Sequence, residues 1–227
     1  MRVPDLPPRS QLSEWVARHV RNRIFDGSYP AGSYVRLDQL AAELGVSVTP
    51  VREALVGLRA EGLLDQQPHR GFVVLPVTRR DITDVSDVQA HIGGELAARA
   101  AAGIGSEQLG ELERIQALLE DAYARADADR AVALNHEFHR LINVAADSPK
   151  LAQLMSQITR YAPESVFPLV AGWPTRSRRH HRRVLAALKH RDPQAARAAM
   201  AEHLAAGAAP MIDHLIAHGV LARPDRD

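Results

Sequence analysis

The chain contains no cysteine. That excludes a disulfide framework, a thiolate metal site and a cysteine nucleophile together. An uninterrupted apolar run long enough to cross a bilayer is also missing, since the Ala-rich stretch from Leu96 to Ile104 is cut by Arg99. The opening residues, Met1 to Gln11, carry three prolines and no apolar centre, so they do not read as a secretory signal. No membrane is expected as a partner, and the cytoplasm is the expected location. Nor does one sign of charge dominate: 28 Lys and Arg against 27 Asp and Glu leave a net charge of +1. Bulk charge therefore neither demands nor excludes a polyanionic partner.

With 227 residues, 46% of them apolar, there is enough chain for two modest domains with real cores. The charges are unevenly placed. Residues 1–80 hold 11 Arg against 8 Asp and Glu, while the remainder holds 17 basic and 19 acidic residues. A mildly basic front and a mildly acidic back fit a nucleic-acid-binding domain joined to something else. Of the 11 histidines, nine lie between His91 and His218, where the basic bias has gone.

Hydrophobic spacing divides the front of the chain into three helices and a hairpin. Leu12, Val16, His19, Val20 and Ile24 share one helical face, which Gly27 ends. Ser28 to Gly32, with Pro30, reads as a turn. Leu37, Leu40, Ala41 and Leu44 mark a second, short helix closed by Gly45. The third is expected to start at Pro50 with Thr49 as N-cap, to bury Val51, Ala54, Leu55 and Leu58, and to end at Gly62. Leu63–Gln67 and Phe72–Leu75 then read as strands around the turn Pro68-His69-Arg70-Gly71.

From Thr78 onward no strand pattern occurs. Ala-, Leu- and Arg-rich segments broken near Gly103, Asp127, Pro149, Pro174 and Pro193 give roughly six helices with short connections. The expected fold class is mainly α: an N-terminal arm (1–10), a winged helix-turn-helix (11–75), a linker (76–82), an all-helical domain (83–222) and a tail (223–227).

A helix-turn-helix needs a tight, Gly-containing turn and a polar start to its second helix, whose first residues meet base edges in the major groove. Gly45-Val46-Ser47 supplies the turn, and Ser47, Thr49 and Arg52 the polar start. Arg52 has the chemistry to fork onto a guanine or grip a phosphate. Arg59 lies two turns further on, and Arg70 with Gly71 sits at the hairpin tip, within reach of the minor groove or the backbone. On periodicity alone, a small trihelical domain with solvated arginines fits equally well.

The literal string separates the two. Leu40-Ala41-Ala42-Glu43-Leu44-Gly45-Val46-Ser47-Val48-Thr49-Pro50-Val51-Arg52-Glu53-Ala54-Leu55, followed by Leu58-Arg59-Ala60-Glu61-Gly62-Leu63 and Arg70-Gly71, closely resembles the GntR family of bacterial transcription regulators. Pro30-Ala31-Gly32 also matches that family's turn. The resemblance implies a DNA-binding transcription regulator, not an enzyme; because one recognition helix covers only a few base pairs, a homodimer on a palindromic double-stranded DNA operator is expected. One position departs: the family usually has Arg where this chain has Val48, which shifts base reading toward Thr49, Arg52 and an apolar contact of Val48 with a thymine methyl.

The histidines of the second half form a pattern of their own. Asn135 and His139 are four apart and share a helix face, with His136 nearby. His180 and His181 follow the break at Pro174, and His203 follows Pro193. Three imidazoles from three helices and one oxygen ligand suit zinc, or nickel or manganese with added waters. His190, His214 and His218 read as ordinary surface or core histidines. His136-Glu137-Phe138-His139 does not match the helical metalloprotease signature, whose histidines stand at i and i+4.

Asn135, Phe138, His139 and Ile142, then His181 with Val184, then Met200, His203 and Leu204 resemble the all-helical effector domain of the FadR branch of that family. The resemblance implies a divalent metal held by Asn135, His139, His181 and His203, and a small organic-acid effector. The branch often carries an effector-binding Arg near Gln89. Gln89 offers no charge, and Arg160 resembles another effector-contacting Arg that would serve instead. Two rivals remain at this level: a purely structural metal, and a helical metal-dependent hydrolase, for which Glu137 is the only nearby carboxylate in sequence and points off the ligand face.

Overall fold

The computed structural model describes Pro8 and residues 11–68, 70–161, 167–168, 170 and 172–221. The N-terminal arm apart from Pro8, His69 of the hairpin turn and the 223–227 tail fall outside the described residues. The chain divides into two compact units, residues 1–79 with 215–227, and residues 80–214. No helix among the described residues is long and apolar enough to cross a membrane.

In the first unit, α1 (Leu12–Phe25), α2 (Leu37–Leu44) and α3 (Val48–Ala60) pack beside a small sheet of β1 (Tyr34–Val35), β2 (Leu64–Gln67) and β3 (Gly71–Val74). The buried stripe of α1, Val16, Val20 and Ile24, meets Val51, Leu55 and Leu58 of α3. Arg21 of α1 and Glu61 at the end of α3 lock the two helices with a forked, largely buried ion pair at 2.9 Å. Breaking such a pair from one side leaves a buried charge unpaired, which is far costlier than losing a surface pair.

Three local details differ from the sequence expectation. Helix α3 starts at Val48, with Ser47 rather than Thr49 in the N-cap position. Pro50 is thus the third helical residue, where its missing N–H costs nothing because first-turn donors have no intrahelical partner. The sheet has a third strand, β1, antiparallel to β3 with Val35 opposite Phe72, in the order β1-β3-β2. At two residues, β1 is too short for any alternation to reveal it. Gly71 belongs to β3 rather than to the turn; its φ is +97°, and a Cβ there would lie 2.7 Å from the Val35 carbonyl oxygen, so only glycine fits.

The second unit holds α4 (Arg79–Gly103), α5 (Ser106–Ala124), α6 (Ala128–Ala145), α7 (Pro149–Thr159), α8 (Trp173–Lys189), α9 (Pro193–Ala205) and most of α10 (Ala208–Ala217). These are seven helices among the described residues, one more than the punctuation suggests. The extra break falls at Ala206 and Gly207, where no proline or polar cluster marks it. Helix α4 is already helical at Arg79, inside the stretch read as linker. The other breaks are capped as their residues dictate. Asp127 accepts from Arg130 N–H, Asp192 accepts from Gln194 and Ala195 N–H, and Pro149 and Pro193 take the first helical position.

Leu96, Leu112, Ile115, Phe138, Ile142, Val184, Leu188 and Met200 form one core, with Ala97, Ala100, Ala101, Ala196 and Ala199 between them. The alanines let the helices approach closely; a Cβ on Gly94 would stand 3.0 Å from the Arg197 carbonyl. This packing lays α5 against α6 and α8, and α8 against α9. Those four helices surround the histidines.

The last helix ends elsewhere. Residues from Leu215 on belong to the first unit, with Leu215 and Leu221 buried there. Gly27, with φ +81°, would place a Cβ 2.7 Å from the His218 carbonyl oxygen. The sequence places this segment in the helical domain (83–222), because an approach such as that of His218 to Gly27 leaves no periodicity signal.

Candidate functional site

The first unit presents one exposed helical surface. Gly45 takes the left-handed conformation at the end of α2, turning the chain directly into α3. Ser47, Val48, Thr49 and Arg52 are all exposed along the first half of α3. Val56 continues the same stripe and is 49% exposed, an unusual position for a large apolar side chain. Sequence periodicity missed Val56 because it assigns residues to the buried face and passes over apolar residues outside it. Ser47 makes no side-chain cap, so the N–H groups of the first turn are not taken by it. Arg59 is exposed but donates to Gln66 Oε1 on β2 at 3.2 Å, tying it to the sheet. Arg70 is exposed beside Gly71 at the hairpin turn.

The second unit brings three of the four expected ligand residues into one cluster and sets the fourth on the same helix face. His139 on α6, His181 on α8 and His203 on α9 converge. His203 Nε2 lies 3.2 Å from His181 Nε2 and 3.2 Å from His139 Nε2. Asn135, one turn before His139, has a buried Oδ1 without a hydrogen-bond partner among the described residues.

Hydrogen bonding alone does not satisfy this geometry. One proton on His203 Nε2 serves one neighbour and leaves the other without a partner. A cation satisfies all three lone pairs. Zinc–imidazole bonds of about 2.0–2.1 Å in a tetrahedron give nitrogen–nitrogen edges of about 3.3–3.4 Å, close to the observed spacing. The residues thus fit a divalent metal in donor type, spacing and orphaned oxygen.

The protonation states agree. Burial pushes His139 down to about 4, with the nearby charge of His136 a smaller cause. His181 is held well below its ordinary value by burial first, then by His203, His139 and His180. His203 is lowered in the same way, by burial and then by His139 and His180. All three are neutral at pH 7 with lone pairs available.

The surroundings fix the rings. His181 Nδ1 donates to Gln116 Oε1 at 2.8 Å, which leaves Nε2 as the lone pair aimed at the cluster. Gln116 in turn donates to Glu120, which also takes a forked bond from Arg182. Phe138 stacks flat on His181 at 4.1 Å. Gln116 and Glu120 were missed in the sequence: they lie on α5, far from every histidine along the chain, and an i, i+4 polar pair on a helix is too common to stand out.

The remaining candidates are placed as follows. Gln89 is buried, its amide 3.5 Å from the Ile158 carbonyl oxygen. Arg160 follows α7 as its C-cap residue and is exposed. Glu137 pairs with Arg140 on the outer surface at 2.6 Å, so it offers no base to the cluster. His190 is exposed.

Residues 12–74 match the model of the bacterial regulatory proteins of the gntR family, and residues 84–206 match that of the FCD domain. The chain is 27% identical to the HTH-type transcriptional regulator McbR of Escherichia coli K12, over 84% of this chain and 88% of that one. It is 29% identical to a probable D-xylose utilization operon transcriptional repressor of Paenarthrobacter nicotinovorans, over 87% of this chain and 88% of that one. The solved structure of Escherichia coli McbR/YncC superposes with a TM-score of 0.71 at 25% identity, covering 89% of this chain and 97% of that one. The histidine cluster lies within the FCD match and the exposed α3 stripe within the gntR match, and this chain belongs to the gntR family of DNA-binding bacterial transcription regulators that carry an FCD domain.

Proposed function

We propose that this regulator binds a palindromic operator as a homodimer, and that a small carboxylate at a divalent metal in the helical domain sets its operator affinity. The observation that carries the metal reading is the trio of Nε2 atoms at 3.2 Å spacing, with the orphaned Asn135 Oδ1 beside them. Asn135, His139, His181 and His203 would hold the ion. All four are neutral, so a bound divalent ion supplies a nearly unneutralised positive charge and an open coordination position for an anionic oxygen. Zinc fits the spacing best; nickel and manganese are the alternatives.

On the DNA side, Ser47, Val48, Thr49 and Arg52 face the groove, and Arg59, Arg70 and Gly71 support them at the backbone. One α3 covers only a few base pairs, so a two-fold dimer is required for a unique address. The protein acts on cytoplasmic DNA. Gln89 and Arg160 were the expected effector contacts. Gln89 leans on α7 and carries no charge, and Arg160 is exposed at the end of that helix, where it would hold the far end of a ligand; the metal is then the main anion-attracting group inside the domain.

The test is direct. Protein purified without chelator should carry stoichiometric divalent metal by elemental analysis, and small carboxylates should change its affinity for an operator selected in vitro. Metal-free protein, or operator affinity indifferent to every carboxylate tried, would contradict the proposal.

A further inference from the structure

Two buried polar atoms beside the histidine cluster have no partner among the described residues: Ser177 Oγ and His180 Nδ1. Ser177 is 0% exposed and His180 is 3% exposed. Both stand on α8. Ser177 is one turn before His181 and so shares its face, and the His180 ring centre lies 5.8 Å from that of His203. A buried hydroxyl or imidazole without a partner keeps its full desolvation penalty, so two beside one cluster ask for a common ligand.

Their chemistry is specified by what holds them. His180 Nε2 lies 3.5 Å from the Arg179 guanidinium, which can only donate. That contact makes Nε2 the acceptor and leaves the proton on Nδ1. Ser177 likewise has a hydroxyl proton to give. The wall therefore offers two neutral donors. Next to it, Trp173 is buried, stacks on Phe167 at 4.4 Å and lies 6.2 Å from the His203 ring, an apolar surface at the same place.

We infer that Ser177 and His180 form an oxyanion-binding wall for one carboxylate group, and that the ligand is a monocarboxylate with an apolar body lying against Trp173. This rests on the metal reading above. Ser177 Oγ and His180 Nδ1 would donate to one carboxylate oxygen, and a cation held by Asn135, His139, His181 and His203 would attract the other. The charge balance sets the class. The ligand residues and both donors are neutral, Glu202 is paired with Arg183 at 2.6 Å, and the arginines whose charge reaches His180, namely Arg176, Arg179 and Arg183, are exposed on α8, with Arg179 on the Nε2 side of the ring. Gln89 is neutral, and Arg160 is exposed at the end of α7. A second carboxylate on the ligand would meet aromatic surface in place of a partner, and would lose affinity.

Cobalt(II) serves as the probe metal, because its visible absorption reports its coordination. The full-length protein loaded with cobalt is titrated with butyrate and, separately, with succinate, which has the same carbon count and a second carboxylate. Butyrate should shift the cobalt spectrum and bind more tightly than succinate. Ser177→Ala and His180→Phe should each weaken butyrate roughly tenfold, with cobalt stoichiometry and the butyrate-free spectrum unchanged as proof of an intact fold. Ser177→Ala removes a single oxygen and keeps the test valid if His180→Phe fails to fold. Unchanged butyrate affinity in Ser177→Ala overturns the wall, and tighter succinate overturns the ligand class, while the metal reading survives either result. Failure of the wild-type protein to take up cobalt overturns both.

Discussion

His181 and Gln116 are 65 positions apart in sequence and 2.8 Å apart in space, and their hydrogen bond determines which ring nitrogen of His181 faces His139 and His203. The imidazole has two tautomers, and only the Nδ1–H form presents a lone pair to the cluster. A partner that fixes the tautomer and raises ligand basicity is typically worth 10–100-fold in metal affinity. Gln116→Leu should therefore lower zinc affinity by about that factor in a chelator-competition titration, while thermal stability of the loaded protein changes little. Gln116→Glu accepts the same proton and should restore binding. Equal affinity in wild type and Gln116→Leu would leave the hydrogen bond without a role in holding metal.

The ligand set itself predicts an ordering. His139→Ala or His181→Ala removes one of three converging nitrogens and should abolish stoichiometric metal. Asn135→Asp replaces a neutral oxygen with a charged one beside a divalent ion, so affinity should rise. Elemental analysis of wild type and the three variants after dialysis against a chelator strong enough to strip wild type in part checks the order Asn135→Asp above wild type above either alanine variant. Metal undiminished in His139→Ala would exclude this set of ligands.

How much of this was legible beforehand depends on the range of the signal. The apolar stripe of α1, the Gly45 turn and the prolines at the starts of α7, α8 and α9 act within a few residues, and their positions mark the helices. The spacing of Asn135 and His139 put them on one face, and three imidazoles on three helices suggested a metal, but the likeness of three separated strings to a known family was needed to fix His181 and His203 as the partners. Gln116 and Ser177 escaped for a related reason. Their significance comes from neighbours on other helices, and no period along the chain encodes that. The start of α3 was displaced by two residues because Pro50 and Thr49 are good first-turn residues wherever in the turn they sit.

On the DNA surface, the arginines should differ in kind. Arg52 is exposed in the first half of α3, flanked on its stripe by Val48 and Val56. Arg52→Ala should cost about 1–3 kcal/mol on the selected operator and much less on random DNA. Arg70→Ala should weaken both DNAs evenly. Arg59 is held by Gln66, so its removal should have the smallest effect of the three. Gel-shift titrations at one fixed salt concentration compare them, since phosphate contacts vary steeply with salt. Equal losses on both DNAs for Arg52→Ala would make it a phosphate contact.

His19 gives the first unit a pH dependence. It sits on α1 stacked near Trp15, and burial, followed by the charge of Arg23, lowers its pKa below 6.5. The unfolded chain therefore takes up a proton at a higher pH than the folded one. Stability is fully present above 6.5 and declines as pH falls below it. His19→Gln removes that proton site. Wild type should lose more thermal stability than His19→Gln between pH 7.5 and pH 5, by calorimetry on metal-free protein so that the cluster contributes equally to both. Parallel losses would show that His19 titrates alike in both states.

Removing the metal separates DNA binding from its regulation. The residues proposed to face DNA are in the first unit, and the proposed metal ligands Asn135, His139, His181 and His203 are in the second. Chelated protein should therefore retain operator affinity near that of the ligand-free holoprotein. The ligand acts only through its different affinity for the DNA-competent and DNA-incompetent forms, and a difference of about 1–3 kcal/mol suffices for regulation. That difference depends on an anion bridging the cation and the helices α6, α8 and α9. Without the cation, the anion meets three neutral imidazoles and gains little. Chelated protein and His203→Ala should bind operator, read by fluorescence anisotropy, yet show no change on adding a carboxylate that shifts the holoprotein. Restoring zinc to the chelated wild type should restore the response, and restoring it to His203→Ala should not. A carboxylate response that survives in metal-free protein would move the effector site away from these four residues altogether.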